Sequence, residues 1–169
     1  IGDTMPPLLV LDARLRIQEF PDQVREIRLA DFYKGYKVMD LAPDELITHV
    51  IMPRLEPDRQ VFRVYKVSKR KDLDISTVSA AFFLSLNQGV IEEARLAFGG
   101  VGPYPLRIPA LEAQMKGLTV PAAAHLGIAG QMRSHITPLD DLRGSATLRH
   151  DLAANLVAKF FAEVTARGH

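Results

Sequence analysis

The chain has 169 residues, 47% of them hydrophobic and 24% charged, with a formal net charge of +1. Such values are ordinary for a soluble globular protein, with room for one domain or one domain and part of another. The near-neutral charge argues against a general nucleic-acid binder, and no apolar run approaches the ~20 residues that cross a bilayer. The absence of Cys excludes disulfides, thiolate metal sites and iron–sulfur ligation within the chain.

The N-terminal part of the sequence predicts a short helix and a hairpin. Residues 5–11 are apolar with two prolines near the start, and Asp3 or Thr4 can cap the helix that they form. Residues 13–18 and 24–29 alternate apolar with polar side chains, which predicts an antiparallel hairpin with one face in the core. The chain opens as the end of a loop that runs into the helix, and this suggests a fragment of a longer protein.

Residues 30–40 are predicted to be irregular, with Phe32, Tyr33 and Tyr36 around a glycine. Exposed aromatic side chains in such a segment can stack on a bound ring, or they can pin the loop to its own core. The sequence leaves both interpretations open. Residues 46–52 then have the composition of a buried strand.

Residues 54–59 are polar, contain a proline and separate two runs of predicted strands. We therefore place a domain boundary there and expect two parts, residues 1–57 and residues 58–169. The second part opens with residues 61–67, whose two-residue alternation predicts a strand.

A charged loop, residues 69–74, follows this strand. Five cations lie between Arg63 and Lys71, and two carboxylates close the run. A charged loop between apolar strands is typical of a binding rim on a rigid scaffold, but also of a solvated hairpin tip. From Ile75 the chain becomes apolar again; we favour a second strand there over a helix, with residues 90–98 as its partner.

The last third is predicted to be helical. Residues 109–116 form a helix ended by Gly117, residues 121–136 form an alanine-rich helix, and Ser145 caps a long closing helix that runs to about residue 166. That helix sets an apolar stripe against a polar one: Leu148, Leu152, Leu156, Phe160 and Val164 against Arg149, Asn155, Lys159, Glu163 and Arg167. Strands in one run and helices in the next indicate an α+β fold, an antiparallel sheet flanked by helices.

No motif in the chain supplies chemistry of its own. Residues 99–103 are glycine-rich but lack the G-x-G-x-x-G spacing of a dinucleotide fingerprint, so we interpret them as a glycine turn at a strand end. The five histidines are scattered, with no i,i+4 pair that would hold a metal. We therefore predict no catalytic and no metal-binding residue. A chain without Cys fits a reducing compartment, and we expect it in the cytoplasm.

Six blocks of the sequence, in this order, resemble one known family: GDTMPPLL, ADFYKGYK, ELITHVIMP, YKVSKRKDLDISTVSAA, ARLAFGGVGPYPLRIPALE and DDLRGSATLRHDLAANLV. The resemblance is to the FAD-binding subunits of the molybdenum hydroxylases, among them the small chain of bacterial xanthine dehydrogenase. It implies the C-terminal part of an FAD-binding α+β domain, followed by a CO dehydrogenase flavoprotein C-terminal-type domain. In this family, electrons pass from a molybdopterin centre through 2Fe-2S clusters to FAD and then to NAD.

The resemblance also implies which residues meet the cofactor. Asp3 matches an aspartate that contacts FAD, and Ile47 matches an aliphatic position that touches it. Lys66 matches a position that faces the cofactor from the next domain, and Tyr36 matches an aromatic near the isoalloxazine ring. The loop at residues 69–74 corresponds to one beside the flavin, near where NAD docks, which favours a functional loop over a solvated tip.

The implied function is part of the FAD-containing electron-transfer subunit of a xanthine dehydrogenase-like oxidoreductase of purine catabolism. The resemblance implies a molybdopterin-binding large subunit and an iron–sulfur domain or subunit as partners, with neither nucleic acid nor membrane. The alternative is a noncatalytic interaction module that keeps the fold without a cofactor; a basic nucleic-acid-binding module is a weaker third. Since the family's pyrophosphate-binding loops precede the position of Gly2, we expect the 169-residue chain alone to bind FAD poorly.

Overall fold

The computed structural model of the protein describes residues 2–19, 21–70 and 73–167. Antiparallel sheets and flanking helices make up an α+β fold, as the order of strands and helices in the sequence predicts. Three residues of predicted turns lie outside the described residues: Phe20, Lys71 and Asp72.

The first part of the chain contains, in order, α1 (Met5–Val10), β1 (Arg14–Glu19), β2 (Gln23–Arg28), α2 (Leu29–Phe32), β3 (Tyr33–Gly35), β4 (Val38–Met39) and β5 (Glu45–Ile51). The first sheet has the strand order β2-β1-β5, and β3 pairs with β4 in a small hairpin. The predicted β1–β2 hairpin is confirmed, since Leu15 pairs with Ile27 in antiparallel register. Residues 30–40 are more regular than predicted, because they contribute to α2 and form the small hairpin.

The second part contains β6 (Gln60–Val67), β7 (Val78–Asn87), β8 (Val90–Gly99), β9 (Leu106–Arg107), α3 (Pro109–Met115), α4 (Val120–Ala124), α5 (Ile128–Gln131), a 3-10 turn (Met132–Ser134) and α6 (Ala146–Thr165). The four strands form the second sheet in the order β6-β7-β8-β9, antiparallel throughout. The segment after the charged loop is therefore a strand rather than a helix, but it begins three residues later than Ile75. Gly117, with a φ of +84°, ends α3 as predicted.

The second sheet separates two hydrophobic cores. On one face, the helix-side core packs the sheet against α3 to α6, with the ring of Phe82 5.4 Å from that of Phe98 and 5.0 Å from that of Phe160. The other face packs against α1 and the first sheet in the shared core, whose buried members are Leu9, Val10, Ala13, Leu15, Ile17, Leu29, Phe32, Ala81, Phe83 and Ala97. The shared core therefore joins the two predicted parts of the chain.

The predicted helix at residues 121–136 is wrong. Helix α4 ends at Ala124, Gly127 adopts a left-handed φ of +67°, and α5 and the 3-10 turn follow. Ala123 and Ile128 are both buried in the helix-side core, although two residues five positions apart point to different sides of a straight helix. The break at Gly127 lets both side chains reach the same core.

The strand predicted at residues 46–52 is confirmed as β5, but it is not buried. Because β5 is an edge strand of the first sheet, Leu46 is 68% exposed, whereas Ile47 packs against the shared core. An apolar run in a sequence does not reveal whether one or both faces of a strand are covered.

The closing helix α6 begins where predicted, since the Ser145 hydroxyl accepts a hydrogen bond from the Leu148 backbone N–H at 3.2 Å. The predicted apolar stripe is correct for Leu156 and Phe160, which are buried, but Leu148 is exposed. Arg149, which the helical pattern assigned to the polar stripe, is only 2% exposed. A guanidinium can be buried when acceptors surround it, and the contacts below supply them.

Candidate functional site

The open part of the second sheet lies on β6, on the shared-core side. Phe62 and Val64 pair directly with Phe83 and Ala81, two shared-core residues, so these side chains and that of Lys66 point to the same face. Phe62 is half-buried there, but Val64 is 49% exposed and Lys66 projects beside it. This exposed strip of β6, which we call the β6 floor, is an apolar surface with a cation at one end.

The segment before α1 places a carboxylate next to that cation. Asp3 Oδ2 lies 2.8 Å from Lys66 Nζ, and the hydroxyl of Ser76 donates a 2.5 Å hydrogen bond to Asp3 Oδ1. Partial burial raises the pKa of Asp3, but the hydrogen bonds from Lys66 and Ser76 outweigh it, so the net pKa lies below the ordinary value. Neither Asp3 nor Thr4 caps α1 as predicted, because Thr4 makes no capping hydrogen bond and Asp3 is engaged with β6 and the segment before β7.

Gly99, at the end of β8, lies against Ser79 and beside the segment that leads into α1. A Cβ on Gly99 would stand 2.5 Å from Ser79 Oγ and 3.6 Å from Pro6 Cγ, closer to the hydroxyl than real Cβ atoms come. Ser79 pairs with both Gly99 and Lys66, and within the described part of the chain its buried hydroxyl has no hydrogen-bond partner. The missing side chain at position 99 thus leaves room for the Ser79 hydroxyl, while Pro6 packs beside Gly99 at an ordinary contact distance.

A cavity of about 340 Å³ opens on the other side of Gly2. Tyr33 and Tyr104 line it with nearly parallel rings whose centroids are 6.2 Å apart, and Tyr36, 67% exposed, stands at its edge. Lys37 Nζ lies 5.4 Å from the centre of the Tyr36 ring. The cavity is therefore an aromatic recess beside the Asp3–Lys66 pair, between the β3–β4 hairpin and the glycine turn that follows β8.

Ile47 lies on the shared-core side of the second sheet, which is also the side that Lys66 faces. It pairs with Ile17 and packs against the shared core, as Phe62 does. Of the four residues that the resemblance implies, Asp3 and Lys66 are in direct contact, Tyr36 lines the neighbouring aromatic recess, and Ile47 packs against the shared core.

A carboxylate joins the described ends of the charged loop. Asp74 accepts hydrogen bonds from the backbone N–H groups of Arg70 and Ile75, each at 2.9 Å, and the bond from Arg70 is the main reason that the pKa of Asp74 is lowered. Leu73 has a left-handed φ of +51° and is 97% exposed, an uncommon conformation for a bulky residue. Lys69 Nζ donates to the Leu142 carbonyl at 2.6 Å, so the loop is tied to the segment before α6.

Buried Arg149 connects the helix side of the molecule to this site. Its guanidinium donates to the carbonyls of Thr77 at 2.6 Å and Gly100 at 2.9 Å and to Asp141 at 2.6 Å. Thr77 follows Ser76, and Gly100 lines the aromatic recess. Arg149 therefore fixes the backbone beneath two parts of the site, and these contacts explain its burial.

Three residues of this region were missed from the sequence. The alternation of β6 could have placed Val64 on the same face as Lys66, but nothing marked that face as open. Ser76 lies 73 positions from Asp3, and Arg149 reaches across from another element. Local patterns carry no information about such long-range contacts.

The described residues hold no group of three or more His, Asp or Glu side chains that could bind a metal ion. Among the helices in the described ranges, none combines the length and the hydropathy that a bilayer span requires.

Two family models match successive parts of the chain. Residues 1–55 match the FAD binding domain in molybdopterin dehydrogenase, and residues 63–164 match the CO dehydrogenase flavoprotein C-terminal domain. These are the two domain types that the sequence blocks resemble.

Individual relatives agree with these matches. The glyceraldehyde dehydrogenase medium chain of Sulfolobus acidocaldarius is 32% identical over 140 residues, which cover 83% of this chain and 49% of that protein. The putative xanthine dehydrogenase FAD-binding subunit of Escherichia coli K12 is 27% identical over 165 residues, which cover 98% of this chain and 56% of that protein. The chain thus spans about half the length of these relatives.

A solved structure shares the fold. The carbon monoxide dehydrogenase of Hydrogenophaga pseudoflava superposes with a TM-score of 0.83 at 22% identity, over 94% of this chain and 54% of that one. The predicted fold class is confirmed by this likeness. Because the C-terminal-domain model alone matches more than half of the residues, the chain belongs to the CO dehydrogenase flavoprotein C-terminal-domain family, among the FAD-binding subunits of the molybdenum hydroxylases.

Proposed function

We propose that the chain is part of the FAD-containing electron-transfer subunit of a xanthine dehydrogenase-like molybdenum hydroxylase. The observation that carries the proposal is the Asp3–Lys66 pair beside the half-exposed Val64, in a chain whose two parts both match FAD-subunit domains. In the full-length protein, electrons would pass from iron–sulfur clusters through FAD to NAD.

The chemistry of the site fits a flavin. An isoalloxazine is a flat ring system with an apolar edge and an edge of carbonyl and ring-nitrogen acceptors. Val64 offers an apolar surface to the face of such a ring, and Lys66 offers N–H donors to its acceptors. The Ser79 hydroxyl, which no group of the described residues engages, lies on the same face of the sheet. When bound, FAD supplies the capacity to accept electrons in pairs and release them singly or in pairs.

The residues of this region would then bind or orient the cofactor. Lys66 would place a positive charge and a hydrogen-bond donor at the polar edge of the ring, and Asp3 would hold Lys66 in place while accepting from a cofactor hydroxyl or N–H group. Ile47 would contact the cofactor from the first sheet. Tyr36, exposed at the edge of the aromatic recess, would lie near the ring, with the loop at residues 69–74 beside it where NAD docks.

The assembly follows from the same proposal. We place the boundary between the domains at residues 57 and 58, supported by family matches that end at residue 55 and resume at residue 63. A molybdopterin-binding large subunit and an iron–sulfur domain or subunit would be the partners. The relatives' names differ in substrate, from xanthine to glyceraldehyde, which supports a substrate site outside this subunit.

The test is FAD binding by the full-length protein, measured by flavin fluorescence quenching and by the visible absorption of oxidised flavin. Lys66→Met should weaken binding by about 10- to 150-fold, since a hydrogen bond from a charged group contributes about 1.5–3 kcal/mol. Lys116→Met, an exposed lysine just after α3, is the matched control and should leave binding unchanged.

The 169-residue chain alone should bind FAD only weakly, because its sequence holds no glycine-rich phosphate loop between a strand and a helix. Submicromolar binding by this chain would contradict that expectation. A full-length protein that binds no flavin would favour the alternative function, a noncatalytic interaction module with the same fold.

A further inference from the structure

Both oxygens of the Asp3 carboxylate accept hydrogen bonds, one from an exposed donor and the other from a buried donor. Lys66 donates to one oxygen from a half-exposed side chain, whereas the Ser76 hydroxyl donates to the other from a side chain that is 0% exposed. An exposed ion pair between Lys and Asp is weakly restrained, because water and side-chain entropy compete with it. The buried hydroxyl is therefore the fixed member of the three.

Ser76 has no freedom to follow a moving carboxylate. The next residue, Thr77, donates its backbone N–H to Val67 at 2.7 Å and accepts from buried Arg149 at 2.6 Å. On the other side, the Asp74 carboxylate accepts from the backbone N–H of Ile75 at 2.9 Å. Hydrogen bonds on both sides thus restrain the backbone that carries the Ser76 hydroxyl.

We propose that Ser76 is a positioning residue of the flavin site, which sets the orientation and the effective charge of Asp3 and, through Asp3, the position of the Lys66 ammonium. The inference rests on the proposed function and goes beyond it, because Ser76 need not touch the cofactor. Ser76 holds one carboxylate oxygen, the other is left to Lys66, and the remaining N–H groups of Lys66 are free to point at the ring.

The electrostatic consequence has a definite sign. A hydroxyl that donates to a carboxylate draws off part of its negative charge. Without that hydroxyl, Asp3 would cancel more of the positive field that Lys66 places on the flavin. The reduced flavin carries more negative charge than the oxidised flavin, so it would lose more stabilisation, and the reduction potential of the bound flavin would fall.

The experiment uses the full-length flavin-loaded protein and its Ser76→Ala variant. The midpoint potential, from spectroelectrochemical titration, should fall. The dissociation constant for FAD should rise by about tenfold, as for the loss of one hydrogen bond. Ser68→Ala is the matched control, since that hydroxyl donates to the Arg70 carbonyl at 2.6 Å in the same loop and does not contact Asp3. It should change neither quantity.

A second pair of variants separates positioning from general stability. In an Asp3→Asn background there is no carboxylate charge to share, so adding Ser76→Ala should change neither the potential nor the affinity further. If Ser76→Ala lowers the melting temperature, Ser76→Cys, close in volume and a weaker donor, takes its place. Wild-type potential and affinity in the Ser76 single variant would overturn the inference, and so would an equal loss of both when Ser76→Ala is added to Asp3→Asn; in either case the proposed function stands. A full-length protein that holds no flavin would overturn both.

Discussion

The first and second sheets of this protein, the two larger ones, are covered to different extents. In the second sheet, β7 is buried from Val78 to Leu84, with helices on one face and α1 and the first sheet on the other. In the first sheet, one face contributes to the shared core, but even there β5 leaves Val50, the partner of buried Leu15, 46% exposed. On the other face β5 exposes Leu46. The first sheet thus has a hydrophobic surface that the described residues do not cover.

This difference shows where each part obtains its stability. Every buried member of the helix-side core lies between Val61 and Val164, so the second part contains a complete core of its own. The shared core takes Ala81, Phe83 and Ala97 from the second sheet, and the first part completes it. We infer that the first part depends on the second for folding, whereas the second does not depend equally on the first.

Separating the two parts should have the largest effect. We predict that limited proteolysis cuts at residues 54–59 and that residues 58–169 alone unfold cooperatively with a lower midpoint, because Ala81, Phe83 and Ala97 lose their cover. Residues 1–57 alone should be unfolded by circular dichroism. The cut but unseparated protein is the control, and its two pieces should remain together. Strong protection of residues 54–59, or independent folding of residues 1–57, would contradict this account.

Removing one aromatic ring from the helix-side core should have the next largest effect. Phe160 is fully buried against Phe82 and Phe161, so Phe160→Ala should lower the free energy of unfolding by about 3–5 kcal/mol in urea denaturation. Leu156→Ala, also buried, should cost about 2–5 kcal/mol. Leu148→Ala, on the exposed side of the same helix, is the control and should stay within about 0.5 kcal/mol. Equal losses in all three variants would place the core elsewhere on α6.

The smallest effect concerns an ion pair of the first sheet. Arg25 donates to Glu45 at 2.6 and 2.7 Å, and these bonds, with one from the Ala42 backbone N–H, lower the pKa of Glu45 from 4.5 to about 2. Because the folded-state pKa is depressed, the stabilisation is fully present above pH 4.5 and is lost as the pH falls towards 2.

Urea denaturation at several pH values tests this pair. Wild type should exceed Glu45→Gln in stability near pH 6, and the difference should shrink between pH 4.5 and pH 2. Glu56→Gln, an exposed carboxylate at the predicted boundary, is the control. A wild-type advantage that is the same at pH 2 as at pH 6 would mean that the pair does not stabilise the first sheet.

The sequence by itself determined β1, β2, β5 and β6 to β8, the α+β order, the end of α3 and the start of α6, but not the two-residue strand β9. Each of these depends on a local signal: the alternation of β1, β2 and β6, the cap at Ser145, and the left-handed glycine at position 117. Six blocks in order were also enough to indicate the family, and to suggest Asp3, Tyr36, Ile47 and Lys66.

Only the tertiary structure decided which surfaces are covered and which distant groups meet. The exposure of Leu46, the burial of Arg149 and the contact between Asp3 and Ser76 depend on how elements far apart in the chain pack. The Asp3–Ser76 bond spans 73 positions, and Arg149 is buried because carbonyls at the ends of two strands accept its protons. Periodicity and capping signals predict the conformation of one segment but not which other segments pack on it. The packed fold supplies the acceptors that make a buried arginine stable, and it decides that an apolar edge strand stays exposed.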